Sequence, residues 1–485
     1  MPRRPADISR PHYNVIFAVL LIGISAYAVL QSLVAPVLAT FITALHTTQD
    51  TATWLMTAYL LSASVATPIL GRIGDKIGKE RMLVITLLAL TLGSGLAALA
   101  HSVGLMIIAR VIQGLGGGLL PLSFGIIRDE FPAGKVNSAI GLGSATLAVG
   151  SGLGLLIAGP IVAHLNYHWL FWIPMILTAV ATVACWMFVP ESPVRTPGKI
   201  SWGAAVLLSA WLVLLLLAVS EGPTWGWGSP KVIGLFAGAA VCLPLWIWTE
   251  LKSSAPLIDM RMMRLPTVWT TNVVAMLFGV GMYTVMTFLP QLVQTPRAIA
   301  GYGLSASITQ SGVYLLPMTI GMFLLGIAAA PLAKRIGLKV VLVLGCAVSI
   351  PAFAALALGH SQGWQIYLAS GLLGVGIGLA FSAMSAIVVQ AVPASQVGVA
   401  SGMNANIRTI GGAIGSSVGA SLLATGVTAA NPIPKDAGYT HVFWLLAAAA
   451  VLATLAALII PAVKARPAAP GAEPAFDEDA VVAAV

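Results

Sequence analysis

Two arginines lie deep inside long apolar stretches of this 485-residue sequence, and no acidic residue lies at a similar depth. Arg110 follows the apolar stretch 105–109, and Arg408 lies ten residues into an apolar run that begins near residue 398. An ionised side chain in such a stretch is costly and is kept where it has a function. The 15 aspartates and glutamates fall in loops, in tails or at the ends of apolar runs. We therefore expect a cavity around these arginines to attract anions and to repel cations.

Gln31 is the polar residue that the sequence places nearest in depth to Arg110. Each lies about seven residues inside the end of its apolar run, which corresponds to roughly 10 Å of helix. A Gln31 oxygen could accept a hydrogen bond from Arg110, but that bond would leave the positive charge uncancelled. The alternative is a structural Arg110 that bonds backbone carbonyls or extends toward the membrane surface. The first hypothesis predicts that Arg110→Gln abolishes function, and the second predicts that it mainly lowers stability.

Arg408 has a polar neighbour on its own helix, because Asn404 precedes it by four residues and therefore shares its face. These two residues could form a second polar patch in a cavity. They could also form a hydrogen-bonded cluster between helices, which is the commoner arrangement in membranes. Four further residues are candidates for a cavity lining, although aromatic residues in apolar spans often serve packing: Trp54, Tyr59, Phe288 and Gln291.

The composition excludes most classes of protein. Hydrophobic residues make up 58% of the chain, charged residues make up 8%, and the mean hydropathy is +0.96. A soluble domain carries roughly 25% charged residues, so soluble enzymes, nucleic-acid binders and secreted disulfide scaffolds are excluded. The 3 cysteines stand far apart, and no Gly-x4-Gly-Lys-Ser/Thr sequence is present. We therefore expect a multi-pass membrane protein with no enzymatic activity, no metal and no organic cofactor.

Apolar runs that are broken by charged or turn-forming clusters predict fourteen membrane spans. These spans lie near residues 14–38, 51–70, 82–100, 103–126, 137–163, 168–189, 202–220, 231–250, 267–293, 308–330, 340–358, 364–391, 398–425 and 441–463.

The distribution of lysine and arginine predicts the orientation of these spans. If the N-terminus is cytoplasmic, nineteen of the 24 basic residues fall in inner segments, three fall in outer loops and two lie within spans. Cytoplasmic loops normally carry this excess. We expect both termini, 1–13 and 464–485, to be cytoplasmic in a protein of the inner or plasma membrane. The Ala- and Pro-rich tail 464–485 is expected to be disordered.

An internal repeat organises the chain. Residues 131–141 align with 392–402 at five of eleven positions, and glycines on both sides match at offsets of 259 to 261 residues. Parallel repeats of this kind build proteins whose two halves rock about a central site. We therefore expect an all-α membrane fold with a six-helix bundle at 14–190, an inserted two-helix hairpin with linkers at 191–266, and a second six-helix bundle at 267–463.

Three motifs resemble those of the major facilitator superfamily, in particular its fourteen-helix drug:proton antiporters. Residues 71–81, Gly-Arg-Ile-Gly-Asp-Lys-Ile-Gly-Lys-Glu-Arg, resemble the signature between helices 2 and 3. Residues 105–118 resemble the helix-4 signature, with Arg110, Gln113 and Gly114 in place, and Trp225-Gly-Trp227 also resembles this subfamily. The resemblance implies that Gln31 and these helix-4 residues serve coupling or line the cavity. Antiporters of this subfamily usually carry an aspartate where this chain has Gln31.

The first motif predicts a conformational latch formed by Gly71, Asp75, Gly78, Lys79 and Arg81. Its glycines would permit a tight reversal at the membrane surface. Asp75 lies among basic residues, where it could pair across the interface between the halves or cap a helix N-terminus. Such a contact would break as the halves rock. The alternative is a positively charged inner loop whose one acid has no special role.

Small residues also follow one face of the fifth span, at Gly150, Gly154 and Ala158. They allow close approach of a neighbouring helix. In the antiporters this region carries a Gly-Pro pair that acts as a gate, whereas Ser151 and Gly152 occupy it here. An antiport gate and ordinary tight packing both remain open.

The resemblance implies a monomeric secondary transporter that exports amphipathic small molecules by rocker-switch alternating access. Arg110 favours neutral or anionic substrates over cations, and the proton gradient is the expected energy source. Coupling through Asp75, coupling through a protonated substrate and facilitated diffusion are all open. The partners are then a small-molecule substrate, protons and the lipid bilayer, with no nucleic acid. The alternatives are a dedicated metabolite or organic-acid carrier, and a membrane receptor or scaffold without transport.

Overall fold

The computed structural model describes residues 11–47, 49–191, 201–253, 256–393, 396–425 and 433–461. Within these ranges the chain is helical and contains no β-strand. Residues 1–10 of the predicted N-terminal segment and the whole predicted tail 464–485 lie outside the described residues, so the expectations about them are not addressed.

Fourteen long helices, numbered here in chain order, follow the predicted spans. The first seven are α1 (Tyr13–Ser32), α2 (Gln49–Ile77), α3 (Lys79–Ala98), α4 (Val103–Glu130), α5 (Ala133–His164), α6 (Trp169–Phe188) and α7 (Trp202–Trp225). The others are α8 (Pro230–Lys252), α9 (Pro266–Gln294), α10 (Ile308–Ile336), α11 (Leu338–Leu358), α12 (Gly363–Ala391), α13 (Val397–Ala424) and α14 (Asp436–Ile459). A 3₁₀ turn at Leu115–Gly118 interrupts α4, and α10 has a break at Leu315.

Thirteen of these helices are long and apolar enough to cross a membrane. The other long helix, α13, has 28 residues, and its glycines, serines, asparagines and Arg408 make it less apolar. Asn404, Asn406 and Arg408 are buried inside the protein, so α13 does not need an apolar surface around its whole circumference. The predicted all-α membrane fold with fourteen helices is confirmed.

The glycines of the internal repeat make equivalent helix contacts in the two halves. Gly150 and Gly154 of α5 lie against α1, and Gly411 and Gly415 of α13 lie against α9. At each position a β-carbon would meet an atom of the partner helix closer than an ordinary contact allows. Close helix approach of this kind is the usual function of small residues in membranes. The matching glycines of the two halves therefore pack equivalent helix pairs.

The tight reversal expected within 71–81 is confined to a single residue, and the helices on either side extend further than the predicted spans. Helix α2 continues to Ile77 and α3 begins at Lys79, so the break is confined to Gly78, which has φ +122°. Residues 72–76 remain helical, with Gly74 and Asp75 buried against neighbouring helices and Arg72 and Lys76 partly exposed. Gly71 therefore serves helix packing and not a turn.

Gly78→Ala is expected to lower the thermal stability of the purified protein substantially. The backbone at Gly78 has a conformation that costs other residues about 1–3 kcal/mol. An alanine β-carbon would also displace the carboxylate of Glu191, the far end of a flexible side chain, and so weaken its ion pair with Arg81. The measurement is the unfolding midpoint in detergent.

Gly337 of the second half provides the matched control for this substitution. It has φ +88° at the corresponding break between α10 and α11, and a β-carbon there would meet no atom within 4 Å. Gly337→Ala therefore carries the backbone cost without the collision. Equal midpoints for the two variants would contradict the role assigned to the Gly78–Glu191 contact.

Candidate functional site

A cavity of about 290 Å³ lies in the centre of the helix bundle and is lined by residues from both halves. Helices α1, α2, α4 and α5 contribute from the first half, and α9, α10, α12 and α13 contribute from the second. Its polar atoms come largely from hydroxyl groups of serine, threonine and tyrosine. The apolar wall includes four methionines, Met56, Met282, Met286 and Met322. The lining is thus apolar with scattered hydrogen-bonding groups, as ligand sites commonly are.

Arg110 is the one charged residue in the described lining of this cavity, which contains no carboxylate. The side chain is 1% exposed. Among the described residues it forms no ion pair, since the four pairs found there involve other groups. The cavity therefore has a positive charge that the protein does not neutralise, and such a site favours anionic or electron-rich guests.

The guanidinium of Arg110 is held by groups on α2 and α4. Its Nε donates to the Leu55 carbonyl at 2.9 Å, and its Nη1 donates to Oε1 of Gln113 at 2.8 Å. The guanidinium also lies over the Tyr59 ring, 4.3 Å from the ring centre. Gln113 is completely buried and donates in turn to Ser94 on α3. These contacts fix the orientation of Arg110 without removing its charge.

Gln31 lines the same cavity as Arg110, as the depth argument predicts. The expected hydrogen bond between them is not formed, because the hydrogen bonds of Arg110 within the described chain go to Leu55 and Gln113. Gln113 is three residues from Arg110 on one helix face, so the guanidinium reaches this local acceptor first. Gly114 lies next to it and lets α4 approach α2, since a β-carbon there would lie 2.5 Å from Cβ of Ser62.

The predicted cavity residues divide into two groups. Tyr59 lines the cavity, whereas Trp54, Phe288 and Gln291 are absent from the described lining. Phe288 packs against the backbone of α13 at Gly419, and Gln291 is exposed at the far end of α9. These three residues lie outside the described lining because depth along a helix does not specify which side of the helix a residue occupies.

Arg408 and Asn404 belong to a cluster between helices and not to the central cavity. Nδ2 of Asn404 donates to Oδ1 of Asn272 on α9 at 2.9 Å. The Arg408 guanidinium lies 4.4 Å from the centre of the Phe381 ring. Both residues line a separate space of about 20 Å³ between α4, α12 and α13. Phe381 also lines the central cavity, so this residue borders both spaces.

Asp75 and Lys79 form a buried charged cluster at one end of the bundle, which we call the charged end. Asp75 is 1% exposed, and its Oδ1 lies 3.7 Å from Nζ of Lys79. Nζ of Lys79 donates to Oδ2 of Asp129 at the end of α4, at 2.6 Å. Arg81, a predicted member of this cluster, instead forms an ion pair with Glu191 after α6. Arg81 points to the half-exposed rim because it lies two residues beyond Lys79 on α3.

The Asp75 carboxylate also faces the second half of the protein. A β-carbon at Gly398 would lie 3.1 Å from Oδ2 of Asp75, and the Val399 amide interacts with the same carboxylate. These residues occupy the first turn of α13, where backbone N–H groups have no partner within the helix. A carboxylate at this position is favourable because the N-terminus of a helix carries a partial positive charge.

Helices α2 and α13 are in close contact near the charged end. A β-carbon at Gly71 would lie 2.8 Å from the Gly398 carbonyl oxygen, and one at Gly402 would lie 3.2 Å from the Thr67 carbonyl oxygen. Nδ2 of Asn406 donates to the Ser64 carbonyl further along α2. The two halves are therefore closed against each other on this side of the cavity.

The small residues of the predicted fifth-span motif face α1 of the same half. Gly150 and Gly154 meet α1, and Ala158 is completely buried. A different glycine set on α5, which includes Gly152 and Gly159, faces α10 of the second half. The motif residues are therefore placed for packing within the first half.

Sequence reasoning missed the methionines, Tyr283, and Leu216 and Ser220 of α7, all of which line the cavity. The methionines and the leucine stand in apolar runs that give no signal of a cavity. The spacing of Met282 and Met286, four residues apart on α9, is the one pattern that could have placed two of them on one face.

Comparison with known proteins places these features in a family. The chain matches the family model described as the Major Facilitator Superfamily over residues 20–416 and 273–483. It is 29% identical over 416 residues to an MFS-type transporter of Mycobacterium tuberculosis, an alignment that covers 83% of this chain and 58% of the relative. It is 33% identical over 304 residues to Multidrug resistance protein 3 of Bacillus subtilis, covering 62% of this chain and 58% of the relative.

Another similar protein is the Tetracenomycin C resistance and export protein of Streptomyces glaucescens, 28% identical over 79% of this chain and 71% of the relative. The chain thus spans about 58% of the length of the first curated relatives that it matches. Among solved structures, the human organic anion transporter MFSD10 has a TM-score of 0.67 at 16% identity, covering 92% of this chain and 100% of that one. A proton:xylose symporter also has a TM-score of 0.67, at 14% identity, covering 94% and 97%.

Proposed function

The chain belongs to the major facilitator superfamily, and on this premise we propose that it is a secondary active exporter of amphipathic small molecules. The preferred substrates are neutral or anionic. The observation that supports this choice is the central cavity, in which Arg110 is the charged group of the described lining and has no carboxylate counterpart. A cationic substrate would have to enter this positive potential without compensation. We assign the chain to the fourteen-helix drug:proton antiporters, and the multidrug and antibiotic export names of its relatives support this assignment.

Transport proceeds by alternating access, with Asp75 as a latch. The contacts between α2 and α13 close the charged end, while the cavity remains between the halves. Rocking of the halves must separate Asp75 from the first turn of α13. A contact that exists in one state only shifts the balance between the two states by its own free energy. The Gly71, Asp75 and Lys79 cluster thus sets how easily the charged end opens.

Protons supply the driving force in this proposal, although no carboxylate lines the described cavity. Three of the buried carboxylates in the described part of the chain are candidate proton carriers: Asp75, Glu221 and Glu250. Glu250 accepts hydrogen bonds from the Leu257 amide and the Trp246 indole, which fix its carboxylate against neighbouring groups and favour a structural role. Asp75 is preferred because it alone of the three lies at the contact between the halves. The protein acts as a monomer in the cell membrane, with both termini in the cytoplasm.

Expression of the chain in an efflux-deficient bacterium is expected to protect against neutral and anionic toxic amphiphiles and to leave sensitivity to lipophilic cations unchanged. A protonophore is expected to remove this protection, because export then lacks its driving gradient. The measurement is the minimal inhibitory concentration for three matched compound sets of different charge. Cells that express Gly104→Ala provide a control, since a β-carbon there would meet nothing within 4 Å.

Protection against cations would contradict the substrate class, and protection that survives the protonophore would contradict proton exchange. A dedicated organic-acid carrier is the second candidate, because the same uncancelled Arg110 would bind a small carboxylate. It is distinguished by counterflow of labelled organic acids in proteoliposomes without protection against amphiphiles. Absence of substrate movement in both assays would favour a receptor or scaffold.

A further inference from the structure

The internal repeat predicts two equivalent seams between the halves, one between α5 and α10 and the other between α2 and α13. The first seam is closed along its length. Gly141, Gly152 and Gly159 of α5 each face α10, and a β-carbon at any of them would meet an atom of that helix at 3.3 Å or less. These glycines span 18 residues, or about 27 Å of helix.

The second seam is closed only near the charged end. There α2 meets α13 through Gly71, Thr67 and the Asn406–Ser64 hydrogen bond. Further from the charged end, Thr57 and Leu60 of α2 and Ala413 of α13 line the cavity. Among the described residues, this half of the seam has none of the close glycine contacts that join α5 to α10, and the cavity lies beside both helices there.

Helix α7 of the inserted hairpin lies at this opening. Leu216 and Ser220, four residues apart on one face of α7, line the central cavity. The Ser220 and Thr57 hydroxyl oxygens are 3.2 Å apart, which joins α7 to α2. Nε1 of Trp227, just beyond α7, donates to Oγ of Ser421 on α13 at 2.9 Å. The hairpin thus contacts both α2 and α13, the two helices on either side of this opening.

An opening at this position would otherwise place the hydroxyl groups and Arg110 of the cavity next to lipid chains. Polar groups that face hydrocarbon without partners are strongly unfavourable. A helix that covers the opening needs a cavity face on one side and an apolar face on the other. Helix α7 has a cavity face at Leu216 and Ser220, and Leu214 on its other side is an apolar residue that packs toward Gly238 of α8.

We propose that α7 is the wall of the substrate cavity at the α2–α13 seam, and that Leu216 and Ser220 contact the substrate and help to select it. The wall seals the cavity from lipid on the side where the repeated helices leave it open. Leu216 offers apolar surface, and the Ser220 hydroxyl can donate to an acceptor on a neutral or anionic guest. The proposal rests on the proposed function in one respect only, namely that the cavity holds the transported molecule.

Cysteine labelling in lipid nanodiscs tests the wall independently of transport. Ser220→Cys would be introduced after replacement of Cys185, Cys242 and Cys346 by alanine, and treated with a charged, water-soluble maleimide. Thiols react as thiolates, which form in water and not in lipid. We expect Ser220→Cys to react at a rate similar to that of Thr287→Cys, a position that lines the cavity from α9.

Val241→Cys provides the lipid-facing control, because Val241 on α8 is 60% exposed on the outer surface. It is expected to react at least about tenfold more slowly, since the charged reagent and the thiolate both avoid hydrocarbon. A Ser220→Cys rate equal to that of Val241→Cys would overturn the proposal that α7 lines the cavity. The comparison of labelling rates can be interpreted even if the chain exports nothing.

A second pair of variants tests selection. Ser220→Trp is expected to change the order of preference among the exported compounds, with the largest loss for the bulkiest. Val241→Trp adds the same volume on the outer surface and is expected to leave that order unchanged. An unchanged order in a folded, active Ser220→Trp protein would overturn the selective role. If Ser220→Trp is inactive, the selective role is tested by asking whether an exported compound slows the maleimide labelling of Ser220→Cys. Unslowed labelling would overturn that role.

Discussion

Arg110→Gln is expected to reduce export of neutral and anionic substrates by about a hundredfold or more, an effect of roughly 3 kcal/mol. The substitution removes the charge of the described cavity lining but retains a polar side chain, which is shorter than that of arginine. Arg110→Lys retains the charge, but a lysine cannot donate to the Leu55 carbonyl and to Gln113 with the geometry of a guanidinium. Partial export is therefore expected. Export is measured as initial efflux from preloaded cells at equal amounts of protein in the membrane.

A purely structural Arg110 gives a different pattern, and Gln113→Leu distinguishes the two. That variant removes the Arg110–Gln113 bond while the charge remains in the cavity. We expect it to lower the unfolding midpoint and to retain most export. If Arg110→Gln and Gln113→Leu lose export and stability in parallel, Arg110 acts through the fold, and the argument for substrate charge fails.

Asp75→Asn is expected to reduce transport about tenfold or more by weakening the closed state of the charged end, since a tenfold change in an equilibrium requires about 1.4 kcal/mol. The neutral side chain keeps its size but loses the attraction to the first turn of α13 and to Lys79. Lys79 remains paired with Asp129, so the substitution does not leave a buried cation alone. Transport is measured alongside the distance distribution between spin labels at Lys76→Cys and Gln396→Cys, which flank the contact.

The expected distribution for Asp75→Asn is broader and shifted to longer distances than that of the parent. Glu191→Gln is the matched control, because Glu191 belongs to the same charged end but pairs with Arg81. A distribution unchanged by Asp75→Asn would contradict the latch. Loss of transport with unchanged distances would instead assign Asp75 to proton transfer.

The sequence was sufficient for the architecture because long apolar runs and the basic residues between them are local signals. Each of the fourteen predicted spans corresponds to a long helix, and the two copies of the glycine pattern pack equivalent helix pairs. The equal depth of Arg110 and Gln31 also followed from the sequence, and the family resemblance implied that both line one cavity. These features depend on length, charge and spacing along one helix, which a sequence displays directly.

Contacts around the circumference of a helix could not be predicted in the same way. The depth of Gln31 matched that of Arg110, but the guanidinium bonds Gln113 because that acceptor lies on its own helix face. Lys79 and not Arg81 joins Asp75, since the rotation of α3 decides which cation is buried. The contribution of α7 to the cavity depends on the separation of two other helices, which no segment of the sequence specifies.

The four methionines of the cavity make the shape of its lining adaptable. Each thioether side chain is unbranched, and its several rotatable bonds let it refill irregular gaps at little cost. Branched side chains would instead impose one contour on whatever enters. The methionines come from both halves, on α2, α9 and α10: Met56, Met282, Met286 and Met322. Side chains of both halves can therefore change rotamer to fit ligands of different shape. If the cavity holds the transported molecule, molecular shape is then a weak criterion on the methionine side of the lining.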